Sequence, residues 1–95
     1  MAMIVAVGIF DLHFPAVHSL KGKRRVLRCV IYRVRAKFNA SIAEVENQNL
    51  WQRGTVGVAI VSSDRKFLTQ MGQKIEEIIT AHDQIELIEI DWEFS

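Results

Sequence analysis

Apolar residues occupy both alternations of the opening segment, Met3–Phe14. Val5, Val7 and Ile9 fall on one side, and Ile4, Ala6, Phe10 and Leu12 on the other. A strand patterned this way is covered, or nearly covered, on both faces, which predicts a central place in a sheet. Pro15 closes it, because proline has no N–H to give the ladder. From Ser19 to Phe38 the period becomes helical. Leu20, Val26, Leu27, Val30, Ile31, Val34 and Phe38 fall within an arc of about 140° at 100° per residue. Ser19 suits the N-cap, although Gly22 stands where a glutamate would complete a capping box.

Ser41–Asn47 alternates again, with Ala43 and Val45 opposite Ile42, Glu44 and Glu46. Asn47-Gln48-Asn49 reads as a turn, and Leu50-Trp51-Gln52 leads into a third strand, Thr55–Val61. That strand sets Val56, Val58 and Ile60 on one face and the small residues Thr55, Gly57 and Ala59 on the other. Ser62, Ser63 and Asp64 offer caps for a second helix reaching about Ala81, with the apolar arc Phe67, Leu68, Met71, Ile75, Ile78 and Ile79. The last strand, Gln84–Phe94, slips phase at Leu87-Ile88. One extra residue there brings Ile85 and Leu87 into phase with Ile88, Ile90, Trp92 and Phe94, which predicts a β-bulge. The order is β, α, β, β, α, β. With right-handed crossovers it predicts a ferredoxin-like α+β fold: a four-stranded antiparallel sheet with both helices on one face.

The chain has 95 residues, which suits one domain spanning 1–95. No linker, repeat or low-complexity segment interrupts it. A single cysteine permits no internal disulfide, so a reducing compartment, the cytoplasm, is expected. The apolar opening run is about ten residues, half what a membrane helix needs, and Asp11 and His13 interrupt it. It lacks the basic start of a signal peptide, and no membrane association is expected.

Charge changes the picture more than composition does. The net value is +1, yet residues 1–43 hold eight Lys/Arg and one acid, whereas residues 44–95 hold four Lys/Arg and ten acids. The positive half is concentrated on the first helix: Lys21, Lys23, Arg24, Arg25, Arg28, Arg33, Arg35 and Lys37. Lys21, Arg25, Arg28 and Tyr32 point away from the apolar arc, and Arg24, Arg33, Arg35 and Lys37 flank it. Lys21/Arg25 and Arg24/Arg28 are like-charged i, i+4 pairs, each costing about 0.2–0.5 kcal/mol unless relieved. Cations in a first helical turn also oppose the helix dipole.

Acids from neighbouring elements are one source of relief, and basic and acidic elements then simply neutralise each other across the fold. No acid lies between Leu12 and Ala43, however, and the second helix has an ordinary mixed face of Gln73, Lys74, Glu76, Glu77 and Thr80. An external phosphate backbone is the other source, because guanidiniums, helix-start N–H groups and the Ser19 hydroxyl all donate. The expected anion or nucleic-acid contacts are therefore Ser19, Lys21, Lys23, Arg24, Arg25, Arg28 and Arg35, with RNA or a ribosomal subunit as partner. The alternative is a protein-interaction module without nucleic-acid binding, whose first helix meets an acidic protein surface.

Contact through the sheet surface is disfavoured. The aromatic run of RNA-recognition motifs is missing, with Gly57 and Ala59 where those rings belong, and Glu89, Asp91 and Glu93 would repel phosphate. The open sheet face is instead small and apolar on the first and third strands, which suits homodimerisation or a cover of long edge side chains. His13, His18 and His82 lie on separate elements without metal-ligand spacing, and no cofactor is implied. Cys29 sits between Arg25 and Arg33 with no evident base or resolving thiol, so a packing role is expected. Trp51 and Trp92 are expected in the core or as a lid rather than as ligand platforms. With no Gly-rich phosphate loop, G-x-S-x-G or paired carboxylates, no catalytic residues are assigned and a non-enzymatic module is expected.

At His18-Ser19-Leu20-Lys21-Gly22-Lys23-Arg24 the sequence resembles the bacterial YlxP-like family, domain of unknown function 503. The resemblance continues through Phe38-Asn39-Ala40-Ser41-Ile42-Ala43-Glu44-Val45, Leu50-Trp51-Gln52 and Val61-Ser62-Ser63-Asp64, in order and over nearly the whole chain. It implies a ferredoxin-like fold and a gene neighbourhood with translation and ribosome-maturation factors, and it brings no catalytic residues. The family motif usually reads S-L-K-E-K-R, so Gly22 here replaces the capping glutamate and makes the run more basic. Ser63 stands where asparagine is common, and either residue caps a helix.

Overall fold

A computed structural model describes residues 2–95. Its elements are β1 (Ile4–His13), α1 (Leu20–Lys37), β2 (Ser41–Glu46), β3 (Arg53–Ser62), α2 (Arg65–Thr80) and β4 (Glu86–Phe94). The strands form one antiparallel sheet in the order β2-β3-β1-β4, which is the ferredoxin-like arrangement. β1 is central, as its double alternation predicts, but only one of its faces is covered. Ala6, Phe10 and Leu12 are fully buried, whereas Val7 and Ile9 are each 40% exposed. The reason is that both helices pack on the same side, so the second apolar alternation faces outward.

The core lies between that covered face and the helices. Ala6, Phe10, Leu12, Ile42, Val56, Val58 and Ile60 from the sheet meet Val26, Leu27, Val30 and Val34 of α1 and Leu68, Ile75 and Ile79 of α2. Trp92 closes it on the β4 side. Its ring meets Phe10 edge-on, with centroids 5.7 Å apart at 83°. The indole lies over Gly8 and Gly72, where an added Cβ would come within 2.8 Å and 3.2 Å of it. Each glycine is thus the space in which one face of the ring sits.

The irregularity expected near Leu87-Ile88 is present. Asp11 pairs with Glu89 and Leu12 with Leu87, leaving Ile88 as the extra residue. Two details differ from the sequence pattern. Ile88 is 49% exposed, because the bulge residue has no partner on β1, and the covered side of β4 is carried by Ile90, Trp92 and Phe94. Phe67 is half exposed, because its position in the first turn of α2 lies at the rim of the core.

Both helices begin on side-chain caps. Ser19 Oγ accepts from Gly22 N–H at 3.0 Å, and Asp64 Oδ1 accepts from Lys66 and Phe67 N–H at 2.9 and 3.3 Å. At the far end of α1, Arg35 and Lys37 lie in the last turn, where cations suit the helix dipole. Among the described residues, no helix is long and apolar enough to cross a membrane.

Candidate nucleic-acid interface

The eight basic residues of α1 divide sharply once they are placed in the fold. Lys23 is fully buried, which corrects its assignment as a contact for an external anion. On the helical wheel it falls inside the apolar arc, one turn before Leu27, so its side chain runs under the β2–β3 loop. Its ammonium donates to the carbonyls of Asn47 (2.8 Å), Gln48 (3.3 Å) and Arg53 (3.1 Å). It also pairs with Glu44 Oε2 at 2.8 Å. A buried ammonium with four oxygens around it is satisfied, so it serves as a structural strut. Arg35 is partly committed too, donating from a guanidinium N–H to the Ile42 carbonyl at 3.1 Å while remaining exposed.

Lys21, Arg24, Arg25, Arg28, Arg33 and Lys37 are all exposed or partly exposed. Among the described residues, no carboxylate lies within ion-pair distance of any of them; the four ion pairs involve His13, Lys23, Arg53 and His82. Tyr32, 67% exposed, stands within this basic surface. Ser19, at the start of the same helix, is exposed and uses its oxygen as the cap, so its hydroxyl hydrogen is still available to an acceptor.

The β2–β3 loop, residues 47–52, is held against the approach to α1. Phe14 N–H donates to the Gln52 carbonyl at 2.9 Å, and Gln52 Nε2 donates back to the carbonyls of Pro15 (3.3 Å) and Val17 (3.2 Å). Asn47 adopts φ 61°, a left-handed conformation that asparagine tolerates, and its amide reaches Thr55 Oγ1 at 3.0 Å. Pinned this way, the loop nevertheless leaves Leu50 and Trp51 about half exposed, which corrects the expected core or lid place of Trp51. Trp51 lines an open crevice with His18, Asn49, Leu50, Gln52 and Arg53. Nothing in local periodicity signals this, because the exposure follows from tertiary ties on the loop backbone.

Across the sheet, Glu89, Asp91 and Glu93 are exposed and in register with Asp11, Ile9 and Val7 on the open face. Asp11 is bridged by Arg53 at 2.9 Å, and His13 Nδ1 lies 2.8 Å from Glu86. Val7, Ile9 and Val61 leave an apolar strip between this acidic edge and β2, where Val45 is also exposed. Residues that the sequence scatters also meet: His18, Arg25, Cys29 and His82 line one small crevice beside α1. His82 Nδ1 there accepts the N–H of Gln84 at 3.1 Å. Among the described residues, no three His, Cys, Asp or Glu side chains converge to hold a metal ion.

The chain is similar to several known proteins. The family described as "Protein of unknown function (DUF503)" matches residues 5–92. "Uncharacterized protein YlxP" of Bacillus subtilis (strain 168) is 43% identical over 68 residues, covering 72% of this chain and 74% of that protein. Among solved structures, the de novo designed protein Foldit4 superposes with a TM-score of 0.52 at 16% identity, covering 97% of this chain and 96% of its own, a likeness of fold alone. SnoaB, a cofactor-independent oxygenase from Streptomyces nogalater, matches with a TM-score of 0.49 at 9% identity, over 100% of this chain and 92% of that one.

Proposed function

The chain belongs to the DUF503 family, and from that footing we propose that it is a non-enzymatic module that binds the phosphate backbone of RNA through the exposed face of α1. One observation carries the reading. Folding employs Lys23 and Arg35, whereas six further cations of the same helix stand in solvent without a carboxylate partner among the described residues. Phosphates relieve their mutual repulsion and are favoured at the start of the helix. The contacts are Lys21, Arg24, Arg25 and Arg28, with Arg35 at the far end and Ser19 assisting at the cap. The acidic β4 edge turns RNA away from the sheet, so the helix reads backbone and supplies little base readout.

The test is anisotropy of a labelled single-stranded RNA over a salt series. Five cationic phosphate contacts predict a slope of about −3.5 in log K against log salt for a single strand. Neutralising Arg24, Arg25 and Arg28 together should flatten that slope and weaken binding. Affinity independent of salt, or no RNA retained at low salt, overturns the proposal. Crosslinking in cells followed by sequencing of the bound RNA then tells whether a ribosomal subunit is the source.

The exposed strip of Val7, Ile9, Val45 and Val61 favours a second reading, a homodimer formed across the open sheet face. Light scattering checks it: a monomer at high concentration removes it, and a Val7→Lys variant should dissociate any dimer.

A further inference from the structure

The crevice at the tip of the β2–β3 loop is a surface where a large aromatic side chain is held out of the core by the ties on the backbone around it. Trp51 is 52% exposed and Leu50 49%, yet the loop beneath them is fixed at several points. Lys23 grips the Asn47, Gln48 and Arg53 carbonyls, and Gln52 grips those of Pro15 and Val17. A loop fixed to this degree presents Trp51 from a set backbone position, which saves a ligand the cost of ordering the loop.

The surroundings decide what fits. Among the described residues no carboxylate lines the crevice, although Arg53 is bridged to Asp11 beyond it; His18 and Arg53 flank it, and the exposed Asn49 offers an amide. By contrast, the neighbouring crevice at the β4 end contains Glu86. His18 directly precedes Ser19, so the crevice runs on from the first turn of α1, where Lys21 and Arg24 are exposed. An aromatic plane, an amide and cations next to a phosphate-binding helix match one occupant, an unpaired nucleobase whose strand continues along α1.

We infer that Trp51 is a stacking platform for an unpaired base, so that the protein prefers single-stranded or looped RNA to duplex. This rests on the backbone-binding role of α1. Trp51 stacks on the base, Asn49 bonds its edge, and His18 and Arg53 hold the flanking phosphates. Arg53 keeps its bridge to Asp11 and is still 45% exposed.

The test uses the full chain, a single-stranded RNA and a blunt RNA duplex of matched charge. Trp92 is packed against Phe10, Gly8 and Gly72, so changes in indole emission on binding report Trp51. The single strand should alter that emission and shield it from acrylamide, and the duplex should do neither. Trp51→Ala should weaken single-strand binding about 5- to 150-fold, the equivalent of one stacked base, with duplex affinity and melting temperature unchanged. Trp51→Phe should restore most of the loss. Equal binding of both RNAs, with Trp51→Ala altering neither, overturns this inference and leaves the role of α1 standing. Failure of Trp51→Phe to rescue overturns stacking. No binding of either RNA at low salt overturns both.

Discussion

Replacing Lys23 with methionine tests whether the most basic helix of the chain depends on one of its own cations for folding. Methionine keeps an unbranched four-atom apolar stem, with sulfur in place of Cδ, and removes the ammonium. Three carbonyls then lose a charged donor, and Glu44, whose side chain is 15% exposed, loses its counter-ion. The contributions do not simply add. The Asn47 carbonyl keeps the Leu50 N–H at 3.1 Å, and the loop lies near solvent. Removing one partner of a buried pair costs about 3–5 kcal/mol, a large part of a total stability of about 5–15 kcal/mol. For a chain of this size the melting temperature should fall by at least roughly 12 °C.

Equilibrium urea unfolding followed by circular dichroism measures this directly. The double variant Lys23→Met/Glu44→Leu separates charge from packing, because it removes the stranded carboxylate along with its partner. It should recover more than about 1 kcal/mol of the loss. Amide exchange at Leu50 should quicken in the single variant as the loop loosens. A cost below about 1 kcal/mol for Lys23→Met, or a double variant no more stable than the single one, refutes the strut.

Other consequences are smaller in scope. Gly8→Ala should lose about 1–3 kcal/mol in the same urea assay, because its Cβ would lie 2.8 Å from the Trp92 ring, which Gly72 of α2 also approaches closely. Asp64→Ala should cost about 0.5–2 kcal/mol, since one carboxylate oxygen caps two N–H groups at the start of α2; Asp64→Ser should restore most of it. Arg25→Gln together with Arg28→Gln removes one member of each like-charged pair on α1. It should leave stability unchanged or raise it by up to about 1 kcal/mol while weakening RNA binding, a dissociation of the two effects that an ion-pairing role would not produce.

The order and type of the elements are legible in the chain because each is dictated by a local period. Val56, Val58 and Ile60 alternate and are buried together; Val26, Leu27, Val30 and Val34 recur at helical spacing and form one stripe. Even the β4 bulge is visible as a slip in alternation. The features that escape the pattern are those in which a long or large side chain takes its partner from far along the chain. Lys23 lies within the apolar arc of α1, a readable signal, but its acid, Glu44, and its carbonyls lie 21 to 30 residues away. Charge alone therefore groups it with the surface cations, while its helical position marks it for burial without naming its partners.

By itself the sequence determined the βαββαβ succession, the caps at Ser19 and Asp64, and a first helix richer in cations than its fold demands. These follow from periodicity and charge, which act between residues close in the chain. Only the tertiary structure decided which cations remain free and which face of β1 stays open. It also decided that Trp92 turns into the core while Trp51 turns out. Each depends on what another element brings within a few ångströms, and local pattern carries no record of that.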